Sequence, residues 1–264
     1  MCQEDKIKKA FNTNEEYFQI AREWHGIHGG IAIEPQMERL IRENLKGSVL
    51  DAGCGEGSVT LLFAKNNKGI NFYGVDFSRI GIKMAKSNSG NLANVILIIA
   101  NLKNLPFPND LFDLIYTQSA LEHVVNYQEA LIELRRVLKK GGRLIIRVAN
   151  GAREGKKFLP SLFSYLFRKN RILELNPSCK LGSNKRRDIR INFDAVSIPS
   201  DILLKQLREL RYRIIYFTCN RRCITMKFNL RLFRVLIHNI FMSLPFWPFT
   251  HLGPTTILMV KKRG

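Results

Sequence analysis

From Ser48 onward the chain alternates short apolar runs with longer amphipathic ones. Five runs, "SVLDAG" (48–53), "INFYGVD" (70–76), "NVILIIA" (94–100), "LFDLIYT" (111–117) and "RLIIRVA" (143–149), are rich in β-branched and aromatic residues and have strand length. Each ends in polar or small residues, as the carboxyl ends of buried parallel strands do. Between them the spacing predicts helices over 79–89 and 127–140, the second with Tyr127, Leu131, Leu134 and Leu138 on one face and Gly141 and Gly142 closing its end. Two prolines in "LPFPND" make 101–111 a loop. Five strands joined by crossovers predict an α/β sheet, mostly parallel, with helices on both faces. Beyond residue 150 the regularity fails until a helix and the strand "YRIIYFT" within 200–217, and a last strand, "TTILMVKK", at 255–262.

This pattern divides the chain into an N-terminal helical cap (1–46), a core (47–150), a basic insertion or lid (151–200) and a C-terminal completion of the sheet (201–264). The last part carries an amphipathic helical insertion at about 221–250. With 45% hydrophobic residues, disorder is not the default. Five cysteines without a Cys-x-x-Cys pair, and a charged start lacking an apolar segment, predict a reduced cytoplasmic protein without a secretory signal.

Charge is unevenly spread. Residues 1–150 carry 19 Lys+Arg against 16 Asp+Glu, whereas 151–264 carry 23 against 6, so nearly all of the net +20 lies in the second half. That half is expected to meet something anionic: a phospholipid surface, a phosphorylated substrate or a nucleic acid. Within it, "KFNLRLFRVLIHNIFMSL" (227–244) sets Lys227, Arg231, Arg234 and His238 on one helical face. Prolines at 245, 248 and 254 cut the apolar stretch too short to span a bilayer, so it suits a membrane interface or a hydrophobic pocket mouth.

Chemistry concentrates where the first strand ends, in "VLDAGCGEGSVT" (49–60). A dinucleotide fingerprint would need glycine at Ser58; instead the glycines are Gly53, Gly55 and Gly57, with Asp51 before them. An acid there disfavours a pyrophosphate and suits an ammonium group. Asp76, 25 residues on and at the end of the next strand, can accept both hydroxyls of a ribose. Asn101, a further 25 residues on, can read an adenine edge. Standing alone, Asp51 and Asp76 would more often cap turns and helices. Their order and equal spacing favour a nucleoside cofactor.

Asp51-Ala52-Gly53-Cys54-Gly55-Glu56-Gly57, Gly74-Val75-Asp76-Phe77-Ser78, Leu105-Pro106-Phe107 with Phe112-Asp113-Leu114-Ile115, Leu121-Glu122-His123-Val124 and Arg136-Val137-Leu138-Lys139-Lys140-Gly141-Gly142 occur in this order. Together they resemble the successive motifs of class I S-adenosylmethionine-dependent methyltransferases, nearest the branch that includes quinone and sterol methyltransferases. The resemblance covers about residues 47–150. It implies a Rossmann-like seven-stranded sheet whose last strand is antiparallel, and S-adenosylmethionine as cofactor. It also assigns positions: the Gly53–Gly57 turn, with Cys54 and Gly55, under the methionine part, Asp76 at the ribose, Asn101 and Leu102 beside the adenine, and Gln118 and Ser119 near the reacting methyl; Asp51 and Phe77 complete the expected cofactor-binding set. One departure stands out, since the family commonly has an acid where this chain has Asn101.

His123 is the candidate general base, with Glu122 a lesser one; the alternative is that His123 packs the short segment "ALEHVV". Cys54 reads as packing inside the cofactor turn and not as a nucleophile. Tyr17, Trp24, His25 and His28 fall in the cap, and neither they nor Cys219 and Cys223 have metal-ligand spacing, so no metal is expected. The acceptor is expected to be a small hydrophobic or anionic molecule, of quinone, lipid-linked or glycan-precursor type, for a cytoplasmic enzyme peripheral to the inner membrane face. Two other classes stay open: an RNA or protein methyltransferase using the basic half, and a non-catalytic subunit that binds the adenosine cofactor. "TQSA" after the fourth strand lacks the [DN]-P-P-[YF] stretch that methylation of an exocyclic amine needs.

Overall fold

A computed structural model describes residues 3–13, 18, 33–149, 174–175, 195–196, 198–220 and 255–263. The cap residues Tyr17, Trp24, His25 and His28, most of the 151–200 insertion and the amphipathic segment 227–244 lie outside the described residues.

Helix α1 (Gln3–Thr13) precedes α2 (Pro35–Arg42), after which strands and helices alternate: β1 (Ser48–Ala52), α3 (Ser58–Asn66), β2 (Asn71–Asp76), α4 (Arg79–Ser89) and β3 (Val95–Ile99). A loop leads to β4 (Phe112–Gln118), a single 3-10 turn (Leu121–His123), α5 (Tyr127–Val137) and β5 (Leu138–Ala149). Then come α6 (Ser200–Glu209), β6 (Tyr212–Asn220) and β7 (Thr255–Lys262). Two-residue strands at Glu174–Leu175 and Ala195–Val196 pair separately. The main sheet has seven strands in the order β3-β2-β1-β4-β5-β7-β6. Pairing is parallel from β3 to β5, and only β7 runs antiparallel, to both β5 and β6. This is the Rossmann-like arrangement expected from the resemblance.

Both faces are covered because the strands are apolar on both sides. Leu50, Ile115, Leu144 and Ile146 pack under α5 and α6 through Leu131, Leu134, Leu203 and Leu207. Val49, Phe72, Leu114, Tyr116 and Ile145 pack under α2 and α3 through Met37, Ile41 and Phe63. Such burial contributes about 1.5–3 kcal/mol per large side chain. Strand order reverses between β1 and β4, so the carboxyl edge opens there, the usual ligand crevice of such sheets.

One expected element differs. The helix predicted to run to residue 140 ends at Val137, and β5 begins at Leu138, five residues earlier than expected. Leu138 pairs with Phe112, and the register then shifts before Arg143 meets Leu114. Leu138 is fully buried in the same cluster as Leu131 and Leu134, so the 3.6-residue spacing was satisfied by a residue that had already left the helix. Gly141, at φ 75°, lets the chain bulge before regular pairing resumes.

Candidate active site

At the end of β1 the backbone turns sharply through three glycines, all in the left-handed region, with φ of 90° at Gly53, 54° at Gly55 and 82° at Gly57. The N–H groups of Gly53 and Cys54 both donate to the Val75 carbonyl, at 2.8 and 2.9 Å, and Gly57 N–H donates to the Cys54 carbonyl at 2.9 Å. A Cβ on Gly53 would come within 2.2 Å of the Ala120 Cβ, because the loop leaving β4 crosses directly over the turn. Glycine is required there by both conformation and space.

Asp76 joins this turn to the next helix. Its Oδ2 accepts from Gly55 N–H at 2.9 Å and its Oδ1 from Ser78 N–H at 2.8 Å, while the Ser78 hydroxyl caps α4 by accepting from Gly81 N–H at 3.1 Å. The structural role weighed for Asp76 is thus present. Each carboxylate oxygen keeps a further lone pair for a ribose hydroxyl. Burial raises the Asp76 pKa, against the backbone donors of Ser78, Gly55 and Phe77.

Asp51 sits deeper than a direct ammonium partner would. Its side chain is 4% exposed, and Oδ2 accepts from the Thr60 hydroxyl of α3 at 2.6 Å. Burial pushes its pKa up to about 7, opposed by hydrogen bonds and reinforced by Asp76 and Glu56. Glu56 is buried too, and accepts from the Ser58 hydroxyl. Three acidic side chains, Asp51, Glu56 and Asp76, therefore surround one glycine turn, and their mutual repulsion adds to burial in raising the Asp51 pKa. Cys54 packs with Ile82, Ala85 and Leu97, and burial raises its thiol pKa well above the ordinary value, which makes it a poor nucleophile.

At the adenine side, Asn101 follows β3 and is held by its own loop and by α1. Its Oδ1 accepts from Lys103 N–H at 3.0 Å, and its amide reaches Glu4 Oε1 at 3.4 Å. Glu4 also pairs with Lys103 at 2.9 Å. Leu102 is 6% exposed and belongs to the core, so what it offers an adenine is backbone. Phe77 meets Phe11 of α1 edge-on at 5.3 Å, and Phe11 meets His123 at 5.2 Å. Phe18 lies against Gly55 and Gly81, within 3.4 and 3.1 Å of where their Cβ atoms would be. The N-terminal segment thus sets two aromatic rings, Phe11 and Phe18, against Phe77, His123 and the glycine turn. Sequence reasoning placed a cap there but not these residues, although Ile7, Phe11 and Phe18 carry the apolar signal.

Gln118 ends β4, and Ser119 follows with φ 52°, an unfavourable conformation for serine. Ser119 N–H donates to the Arg147 carbonyl at 3.0 Å, and the Arg147 guanidinium donates to the Ser119 hydroxyl. Arg147 also pairs with Glu34 at 3.0 Å, the two side chains being 15% and 18% exposed. Arg147 and Glu34 were missed, although a lone arginine in the apolar run "LIIRVA" was a visible signal. Nearby, half-buried His123 has its pKa lowered by burial, against the charge of Glu122, so its imidazole is neutral at neutral pH. Among the described residues no three or more His, Cys, Asp or Glu side chains are placed to hold a metal ion together.

Of the residues expected to form the site, Asp51, Gly53, Gly55, Gly57, Asp76, Phe77, Asn101, Gln118, Ser119 and His123 come together along the carboxyl edge, while the side chains of Cys54 and Leu102 turn into packing. The donor set suits a cation bearing a ribose. Asp76 offers two oxygens to a diol beside a turn whose glycines let the backbone approach closely.

Comparison with known proteins agrees with that geometry. Residues 50–146 match a family described as methyltransferase domain. The chain is 37% identical over 102 residues to the ubiquinone/menaquinone biosynthesis C-methyltransferase of Vibrio vulnificus, a stretch covering 37% of this chain and 39% of that protein. An S-adenosylmethionine-dependent methyltransferase from Mesorhizobium loti superposes with a TM-score of 0.57 at 14% identity, covering 86% of this chain and 96% of that one. The 4+2 cyclase SpnF gives the same TM-score at 19% identity, covering 86% and 80%. Residues 50–146 are thus similar to a methyltransferase domain, and the sheet is the one found in S-adenosylmethionine-dependent methyltransferases, whose cofactor the turn and Asp76 fit. The chain spans about two-fifths of the length of the first curated relatives it matches.

Proposed function

We propose that this protein transfers a methyl group from S-adenosylmethionine to a small hydrophobic or anionic acceptor, of quinone, lipid-linked or glycan-precursor type. The observation that carries the reading is the acid-lined glycine turn, in which Asp51, Asp76 and Glu56 favour a sulfonium cofactor over a pyrophosphate-bearing one. The cofactor supplies an already activated methyl. What remains for the protein is to hold the acceptor in line with it, which can contribute on the order of 7–11 kcal/mol.

The chain's own groups fit that task. Neutral His123 accepts a proton from a hydroxyl or thiol acceptor, and Arg147 beside Ser119 supplies a cation that orients an anionic oxygen. The likeness to a quinone C-methyltransferase supports an aromatic or isoprenoid acceptor. An RNA acceptor fits less well, because the described cationic grooves lie at the opposite edge of the sheet from Ser119. Radiolabelled cofactor incubated with lipid extract and, separately, with total RNA tests the reading. Label in the lipid extract that falls at least tenfold in Asp76→Ala supports it, and label in RNA alone overturns the choice of acceptor.

A further inference from the structure

At the amino edge of the sheet, far from the glycine turn, three strands place cations directly opposite one another. Arg143 of β5 is registered with Lys261 of β7, and Lys261 with Arg213 of β6. Residues paired in register share a face, and neighbouring strands lie about 4.8 Å apart, so the three Cα positions form a row about 10 Å long. Lys261 and Arg213 are exposed, Arg143 is half-buried, and exposed Arg263 follows β7 immediately.

Like charges directly opposed on a sheet are destabilising. None of the four makes an ion pair with a described residue, whereas their neighbours do: Lys262 holds Asp110 at 2.8 Å and Lys139 holds Asp113 at 2.8 Å. The row also lies in a depression. One groove of about 490 Å³ is lined by Gly141, Arg213, Lys261, Lys262 and Arg263, and a second of about 200 Å³ continues past Arg143 to Lys46, sharing Gly141 and Lys261 with the first. Among the described residues, Glu43 and Asp113 are the only acids lining this trough.

We propose that this trough binds the phosphodiester backbone of a single nucleic-acid strand, through charge and without reading bases. Cations set out in a line match a chain of linked phosphates better than one converging on a single oxyanion. A concave floor admits a strand but not a flat bilayer. From Arg143 to Arg147 is four residues along β5, roughly 13 Å, so a bound strand lies away from the methyl-transfer edge. The trough anchors the protein and does not present an acceptor. This inference is independent of the acceptor's identity.

Fluorescence anisotropy with a labelled 15-nucleotide single strand, between 50 and 200 mM salt, tests it. Four phosphate contacts predict that the logarithm of affinity falls with that of salt at a slope near −3, at about −0.7 per contact. Lys261→Gln with Arg213→Gln is expected to weaken binding at least tenfold at 50 mM salt and to flatten the slope by about 1.4. Lys65→Gln with Lys83→Gln, on exposed faces of α3 and α4, is expected to change both by less than half as much. Without the strand, Lys261→Gln is expected to raise the melting temperature, since it relieves a like-charge row; a merely structural lysine would lower it. Cofactor affinity stays unchanged and reports an intact fold. Equal losses in both double variants, displacement by pyrophosphate at matched phosphate concentration, or tighter binding to phosphatidylglycerol vesicles would each overturn the proposal.

Discussion

Asp51 carries the charge logic of the cofactor turn and also its pH dependence. Its folded pKa of about 7 lies above the ordinary 3.8. Between those values the unfolded chain ionises while the folded one keeps the proton, so the cofactor-free protein is expected to lose stability as pH rises from about 4 to 7. Asp51→Asn is expected to remove that slope, as urea titrations at pH 5 and 7 would show. A cationic ligand favours the ionised form, so cofactor affinity is expected to rise with pH up to about 7, with proton release at pH 6 seen by calorimetry in two buffers. Gly53→Ala is expected to cost at least about 1–3 kcal/mol from conformation alone, plus the clash with Ala120, and to abolish cofactor binding. Asp51, Asp76 and the glycines were legible in sequence because type and spacing carry their chemistry. Thr60 and Ala120 were not, since each becomes part of the site only through strands and loops that meet in space. Asp51, read as an ammonium partner beside the turn, is a buried acid whose Oδ2 accepts from Thr60 of α3.

Among the elements, the strands were the most readable, since runs buried on both faces leave a continuous apolar signal. The end of α5 was misplaced because Leu138 satisfies helix spacing and strand pairing alike. Helix α1 shows what periodicity omits: it reveals an apolar face but not the surface that face meets. Here Phe11 reaches Phe77 and His123, the Ser78 hydroxyl donates to the Phe11 carbonyl at 2.9 Å, and Asn12 accepts from Arg79 N–H at 2.7 Å. Phe11→Ala is expected to cost about 3–5 kcal/mol of α1 docking. Hydrogen exchange over residues 3–13 should then accelerate at least tenfold, and cofactor should dissociate faster. Unchanged exchange there would contradict the role of α1 as a cap.

At the scale of the whole molecule, the sheet separates two regions of opposite charge. The carboxyl edge holds buried acids around the glycine turn, and the amino edge holds the row of cations that have no ion-pair partner among the described residues. The sequence showed that positive charge accumulates after residue 150, but the row joins Arg143 from the first half to Lys261 and Arg213 from the second, which only strand order reveals. Among the described residues no helix is long and apolar enough to cross a membrane. The central claim, that the carboxyl edge is an S-adenosylmethionine site built on Asp76 and the acid-lined turn, is tested most directly by calorimetric titration of the purified protein with S-adenosylmethionine and with NAD, alongside Asp76→Ala. The account predicts saturable one-to-one binding of S-adenosylmethionine, weakened at least tenfold by the substitution, and no comparable binding of NAD. Equal affinity for both ligands, or cofactor binding indifferent to Asp76, would contradict it.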